Sequence, residues 1–447
     1  MCSTLEDARS RRRRQRKKET PRRRRTLLTG LGGIAAASAL NACGGGDTQQ
    51  NEAPAEIDEN TEATLELAYW DRNQSVTVEA LIASFTEKYP RITVTPALTG
   101  PSEYWMRLRT QAEGNNLPDV FWMSGLHVQL YASEGLLAPV ADDVDFSVFP
   151  QAMTDLYTVD GTHYGIPKDF DTIACWVNQR LVEEAGVTLP DPETWTWEEF
   201  GETTRAIAAG LGDRGHAVVT DLNIGGQQNW YNTVAQAGGY IIADGRSGYA
   251  DPNTIRGLEF WSNLVADGVV PHPRVIADNP PQTVFISGRA AIHHTGSWET
   301  AAMLADYPDP GELMVVPLPR DQERASTIHG LAYVVAANSP NLAAASALQR
   351  HLTSEEAGRT DAANGTAIPA WQGTADKWHE VKPEWNLKVF TDAAANYAVP
   401  YPVSRNTAAW NQLEADILTP AFAGDVPMAQ AAEQLATQMD ELLAAER

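Results

Sequence analysis

The sequence predicts an α/β fold in two lobes, and three observations carry that expectation. From Leu65 to Gly135, extended and helical periodicity alternate three times. From His163 to Phe200, the chain leaves one such unit and at once begins another. With 447 residues, 43% of them hydrophobic, it has the length for two domains or one large one and can build a sizeable core.

Residues 1–42 carry 12 of the 34 Lys/Arg and 3 of the 58 Asp/Glu. Arg22 to Arg25 precede a short Gly/Ala-rich apolar run that ends in Leu40-Asn41-Ala42-Cys43. A basic head, a brief apolar segment and small residues at a cleavage point form the layout of an export signal. Arg24-Arg25-Thr26-Leu27-Leu28 resembles the twin-arginine type. Leu40 to Gly44 resembles a bacterial lipobox, which implies lipidation of Cys43. Residues 1–42 are therefore expected to be the signal. Residues 43–64, rich in Gly, Gln, Asn and Glu, are expected to be a flexible tether.

Beyond residue 42, 22 basic residues face 55 acidic ones. A body so acidic argues against nucleic acid, whose phosphates need clustered cations. No run of 18 apolar residues follows the leader, so no membrane span is expected in the body. Cys175, inside the apolar run Ile173 to Val177, reads as a small buried hydrophobe without a disulfide partner.

The folded body should start at Leu65, where Leu65 to Trp70 alternates as a strand. Val78, Leu81, Ile82, Phe85 and Tyr89 make a helical stripe that Pro90 ends. Arg91 to Pro96 is a second strand, Glu103 to Ala112 a helix, and Leu117 to Met123 a third strand. Leu126 to Glu134 is again helical and closes at Gly135. Such an order predicts a mostly parallel sheet with right-handed crossovers.

Ile166 to Asp171 is then extended, Thr172 to Val177 is a buried strand, and Gln179 to Ala185 is a short helix stopped by Gly186. Thr196, with Glu199 three residues on, is a capping box opening a helix from Trp197 to Leu211. Helices follow at 229–237 and 254–266. A helix end runs into a strand within 283–292, strands cover 315–319 and 329–337, and a helix covers 341–352.

The ordered set from His163 to Phe200 resembles the first interlobe crossing of extracellular solute-binding proteins of bacterial ABC importers, in the family that includes the maltose-binding proteins. Its parts are a Tyr-Gly-Ile-Pro turn, a polar crossing, an apolar strand ending in Asn178, an Ala-Gly helix end and a Thr-Trp-Thr-Trp-Glu-Glu-Phe helix start. The phrases around Phe85 to Val94, Gly114 to Met123 and Ala132 to Val140 resemble the same family's first lobe. The resemblance implies a two-lobed, periplasmic-binding-protein-like fold of type II, with three interlobe crossings near Asp169, Gly296 and Ala337. It places 65–169 with 297–337 in one lobe, and 170–296 with 338–447 in the other.

In open sheets, ligands lie outside the carboxyl ends of strands. Trp70, Asp71 and Arg72, then Trp122 and Ser124, fall at such ends. Asp169 and Asp171 fall in the crossing, and Trp298 and Glu299 at the next break. Indoles can stack on the C–H face of a sugar, and Asp, Glu, Gln and Arg can bind its hydroxyls bidentately. The bland readings stand beside these. Asp71 could be a helix N-cap, Asp169 or Asp171 could brace the hinge, and each Trp could be core. Trp176, Trp195, Trp197 and Trp261 sit in apolar patterns and read as core. The resemblance implies further contacts at Gln228 and Trp230, at Gly330 and Tyr333, and at Arg405 and Trp410.

No catalytic signature is found. Gly296-Ser297-Trp298 is not a nucleophile elbow, and His293-His294 lacks metalloprotease spacing. No phosphate-binding loop occurs, so an ATPase would be a separate protein. No metal and no cofactor are expected. The expected function is capture of a mono- or oligosaccharide by a monomeric, lipid-anchored receptor, held to the membrane only by that anchor and serving permease subunits. The alternatives are a secreted glycoside hydrolase or lyase, a two-lobed adhesion or signalling module, or a receptor for a polyamine or glycerol phosphodiester.

Overall fold

The computed structural model describes residues 56–446 apart from Ile224. The expected signal, the lipidated Cys43 and most of the tether lie outside the described residues. The principal elements are β1 (Ala63–Tyr69), α1 (Ser75–Lys88), β2 (Ile92–Leu98), α2 (Pro101–Glu113), β3 (Val120–Ser124) and α3 (Gly125–Ser133). There follow β4 (Gly165–Pro167), β5 (Ile173–Asn178), α4 (Trp197–Leu211), β6 (His216–Val219), α5 (Trp230–Gln236), α6 (Pro252–Ala266), β7 (Ala290–Gly296) and β8 (Leu313–Val316). The chain closes with β9 (Ser326–Ile328), β10 (Leu331–Val335), α7 (Leu342–Leu352), α8 (Glu355–Asn364), β11 (Ala398–Pro400), α9 (Thr407–Phe422) and α10 (Met428–Ala444).

Two sheets define two lobes. The first has the order β2-β1-β3-β10-β4, with β1 parallel to β2 and β3, and with β10 antiparallel to both its neighbours. The second has the order β8-β5-β7-β6, in which only the β7–β6 pair is parallel. The mostly parallel expectation therefore fits only the first three strands. β5 and β10, each antiparallel to both its neighbours, enter their sheets through a crossing from the other lobe, so no local crossover fixes their direction.

The helix starts follow local chemistry. Thr196 and Glu199 form the reciprocal capping box that their spacing predicts. Asn178 caps the short helix after β5 by accepting from Leu181 N at 2.9 Å. Ser124 caps α3, accepting from Leu126 N at 3.3 Å.

The sheets revise the expected lobe boundaries. Leu313–Val316 pairs with β5 in the second sheet, although 297–337 was expected in the first lobe. Helices α7 and α8 pack on α1 in the first lobe, although 338–447 was expected in the second. Three segments lie together where the lobes join, 168–172, 326–330 and 398–401. They run side by side. β9 pairs in parallel with β11, Asp171 N donates to His329 O at 2.6 Å, and Tyr401 N donates to Ile328 O at 3.1 Å.

Candidate functional site

A cleft of about 560 Å³ opens between the lobes, within the ~300–1,000 Å³ range of small-molecule sites. The first lobe contributes Leu126 and His127 from the start of α3. The second contributes Gly225, Gln227 and Gln228 from the loop after β6, and Asn411 and Gln412 from α9. Trp298, just past β7, and Tyr401, in the third crossing, also line it. A larger hollow of about 810 Å³ lies at Lys88, Tyr89, Arg350 and His351. It is away from the crossings and the strand ends, so the interlobe cleft is the better site on topological grounds.

The cleft wall is uncharged and mostly apolar, with Leu126, Trp298, Tyr401, Ala408 and Ala415 beside a few amides. Four amide side chains, Gln227, Gln228, Asn411 and Gln412, come from two separate segments and carry both donors and acceptors. Burial first, and Arg109 second, push His127 down to about 4, which keeps its imidazole neutral. Its ring lies 4.0 Å from that of Trp105. Trp298 is half-buried. Its ring folds back over Gly296, where a Cβ would sit 1.9 Å from the indole, so only glycine leaves room for it. Gln228 is anchored from behind. Its carbonyl faces His294 Nδ1 at 2.5 Å, and its Oε1 accepts from Thr295 Oγ1 at 3.4 Å.

Of the residues expected to touch ligand, the cleft gathers Gln228 and Trp298. Trp122, Trp230, Trp410 and Tyr333 are buried core. Trp230 and Trp410 each have a hydrogen-bonded indole N–H, to the Tyr249 hydroxyl at 3.2 Å and to Ser404 Oγ at 2.9 Å. Trp122 packs edge-on against Trp70 at 5.1 Å and carries Lys168 Nζ over its ring at 4.6 Å. Trp70 is half-buried in that cluster with Tyr104 and Trp105. Strand-end position did not reveal that neighbouring rings already cover these faces.

The polar candidates divide similarly. Asp71 is an N-cap, accepting from Asn73 N at 2.9 Å, and Arg72 is exposed. Ser124 is spent on its cap and lies 3.3 Å from His329 Nε2. Glu299 is buried against Gln282 Nε2 at 2.5 Å, and Arg405 is exposed, 3.5 Å from Asp160. Gly330 is a close-approach residue, since a Cβ there would lie 2.3 Å from Asp169 O.

Asp169 and Asp171 brace the crossing. Asp169 is buried, pairs with Lys168 and accepts from Leu331 N at 2.7 Å. Burial works against the Lys168 charge. Asp169 and Asp361 outweigh it and hold the ammonium above the ordinary lysine range. Asp171 accepts from Ser297 Oγ at 2.8 Å. Burial first, and the nearby Asp169 charge second, push it up to about 8.

Sequence reasoning missed His127, Tyr401, Asn411 and Gln412. His127 follows a strand end and was within reach of that rule. The other three come from late segments that only the third crossing returns to the cleft. Among the described residues, no group of three or more His, Cys, Asp or Glu is placed to hold a metal ion. No helix among them is long and apolar enough to cross a membrane.

Two sheets joined by three adjacent crossings over one cleft define a two-lobed binding-protein fold. The chain belongs to the bacterial extracellular solute-binding protein family, whose model matches residues 80–386. It is 26% identical to a lactose-binding protein of Rhizobium radiobacter over 260 residues, 56% of this chain and 60% of that one. It is 25% identical to an arabinooligosaccharide-binding protein of Halalkalibacterium halodurans over 288 residues, 60% and 62% of the two chains. The matches thus span about three fifths of those relatives' lengths. In fold it is similar to an ABC substrate-binding protein of Listeria monocytogenes in complex with cycloalternan, with a TM-score of 0.79 at 20% identity. That likeness covers 86% of this chain and 100% of the other. The members of this family and these neighbours are binding proteins.

Proposed function

We propose that the chain is the substrate-binding component of an ABC importer and captures a mono- or oligosaccharide between its lobes. The observation that carries this reading is the cleft itself. An indole, a neutral imidazole and several amides line it, and no Lys, Arg, Asp or Glu does. That set suits an uncharged, hydroxyl-rich ligand, since a polyamine or phosphodiester would bury a charge without a counter-charge. The relatives' names add weight, covering lactose, arabinooligosaccharide, maltotriose and diacetylchitobiose. Ligand would shift the lobes toward a closed form presented to permease subunits, with ATP hydrolysed by a separate protein. A monomer held outside the cytoplasm by a lipid on Cys43 completes the reading.

The test is a thermal-shift screen against lactose, maltotriose, arabinotriose and diacetylchitobiose, with spermidine and glycerophosphodiesters alongside. A ligand at ~100 Kd stabilises the fold by about 2.7 kcal/mol, which raises Tm by several degrees. A rise with a sugar alone supports the reading. A rise only with spermidine or a phosphodiester overturns the carbohydrate assignment, and release of cleaved sugar would favour the enzyme alternative.

A further inference from the structure

Glu414, in α9, is a fully buried carboxylate with no Lys, Arg or His against it among the described residues. A buried charge without a cation persists only where hydrogen bonds replace water. Here three side chains supply them. The Tyr231 hydroxyl donates to both carboxylate oxygens at 2.9 and 2.7 Å, Asn411 Nδ2 donates at 2.8 Å, and the Tyr249 hydroxyl makes a short contact.

A second tier locks these donors. Asn411 Nδ2 also donates to the Tyr231 hydroxyl at 2.9 Å, and the Tyr401 hydroxyl donates to Asn411 Oδ1 at 3.2 Å. Trp230 Nε1 donates to the Tyr249 hydroxyl at 3.2 Å. The network touches the cleft at three points. Asn411 and Tyr401 line it, and the Tyr231 ring fills the space beside Gly226, between the lining residues Gly225 and Gln227.

We propose that Glu414 is a positioning residue for the cleft: its carboxylate fixes the Asn411 amide and the 225–228 turn before ligand arrives, and its protonation releases them and weakens ligand binding. The proposal rests on the cleft being the sugar site. Its chemistry is a matter of donors and acceptors. An ionised carboxylate accepts at every contact, whereas a protonated one presents a donor on one oxygen. Facing Tyr231, Tyr249 and the Asn411 Nδ2, that donor makes one hydroxyl accept instead of donate, so a buried O–H loses its acceptor and the network has to rearrange. The other titratable groups around it stay neutral near pH 7. Burial first, then the Glu414 charge, raises the phenols of Tyr231, Tyr249 and Tyr401. His329, 4.8 Å from the Tyr401 ring, is pushed down to about 4 by burial. Burial pushes Glu414 itself up to about 7, so it titrates in the working range.

Two measurements on the full chain test this. The first is hydrogen exchange of the ligand-free protein at peptides covering 225–231 and 408–415. Glu414→Gln is expected to speed exchange there by about threefold or more, and the wild type should show the same loosening as pH drops from 8 to 6, after correction for intrinsic rates. Unchanged exchange in Glu414→Gln overturns the proposal. The second is calorimetry with maltotriose or lactose across the same pH range. Wild-type affinity should fall about tenfold toward pH 6, while Glu414→Gln should be weak and flat. A Glu414→Gln protein with wild-type affinity and pH profile also overturns it. If no sugar binds the wild type, the carbohydrate reading fails alone, and the exchange arm still decides. Should Glu414→Gln not fold, Tyr249→Phe removes one donor to the charged form and should move the pH midpoint upward. An unmoved midpoint counts against the proposal.

Discussion

Trp298 and Trp410 are the same residue in opposite situations. Trp410 is wholly buried with its N–H bonded to Ser404, while Trp298 keeps a face toward the cleft. Trp410→Ala should therefore cost about 3–5 kcal/mol of stability, read in urea unfolding. Trp298→Ala should cost clearly less stability and weaken sugar binding about tenfold in calorimetry, the worth of one aromatic stack. Equal effects of the two on stability would refute the distinction. The sequence could not separate these tryptophans, because both sit among polar and small residues. What separates them is whether a neighbouring element covers the ring. Gly296 is the local sign that Trp298 folds over its own strand end, a sign readable only once the ring is placed.

Among the elements, the local devices were the readable ones. The capping box at Thr196 and Glu199 and the helix stop at Gly186, whose φ is +72°, are properties of a few adjacent residues, and they stand as expected. The crossings were less readable, because pairing between segments some 150 residues apart leaves no local trace. Gly330 shows what the second crossing demands. Its backbone lies so near Asp169 that a Cβ would overlap the carbonyl oxygen and come within 2.7 Å of Phe170 Cα. Gly330→Ala should separate the first and second crossings at a cost of about 1–3 kcal/mol, seen as a Tm lower by a few degrees. An unaltered melt would mean that the hinge accommodates the methyl group.

At the scale of the whole molecule, buried titrating groups set the pH response. Burial raises three carboxyls, Asp361 to about 6, Glu414 to about 7 and Asp171 to about 8. Each contributes most to stability below its unfolded value and loses that contribution as pH rises through its folded one. Burial lowers His127, His294 and His329 to about 4, and it lowers His163, His216, His351 and His379 as well. Their contribution is complete above the unfolded histidine value and is lost as pH falls toward 4. The two sets oppose one another between roughly pH 4 and 6.5. With more histidines than carboxyls in play, stability should rise toward about pH 6.5 and decline from there to about pH 9. A Tm series across that range checks it, and Asp171→Asn should flatten the alkaline decline. A Tm that climbs steadily to pH 9 would contradict these assignments.

The sequence by itself determined the α/β class, the first three strands with their helices, the first crossing and the apolar content of both cores. Periodicity, caps and the ordered phrases around His163 to Phe200 act over short stretches and survive without the rest of the fold. Tertiary structure alone decided that Leu313–Val316 joins the second sheet and that α7 and α8 pack on α1, which tryptophans face the cleft, and that Asn411 and Tyr401 meet Gln228 and Trp298. Those outcomes depend on surfaces covered and on backbone pairs closed across long loops, and chain proximity carries no information about either.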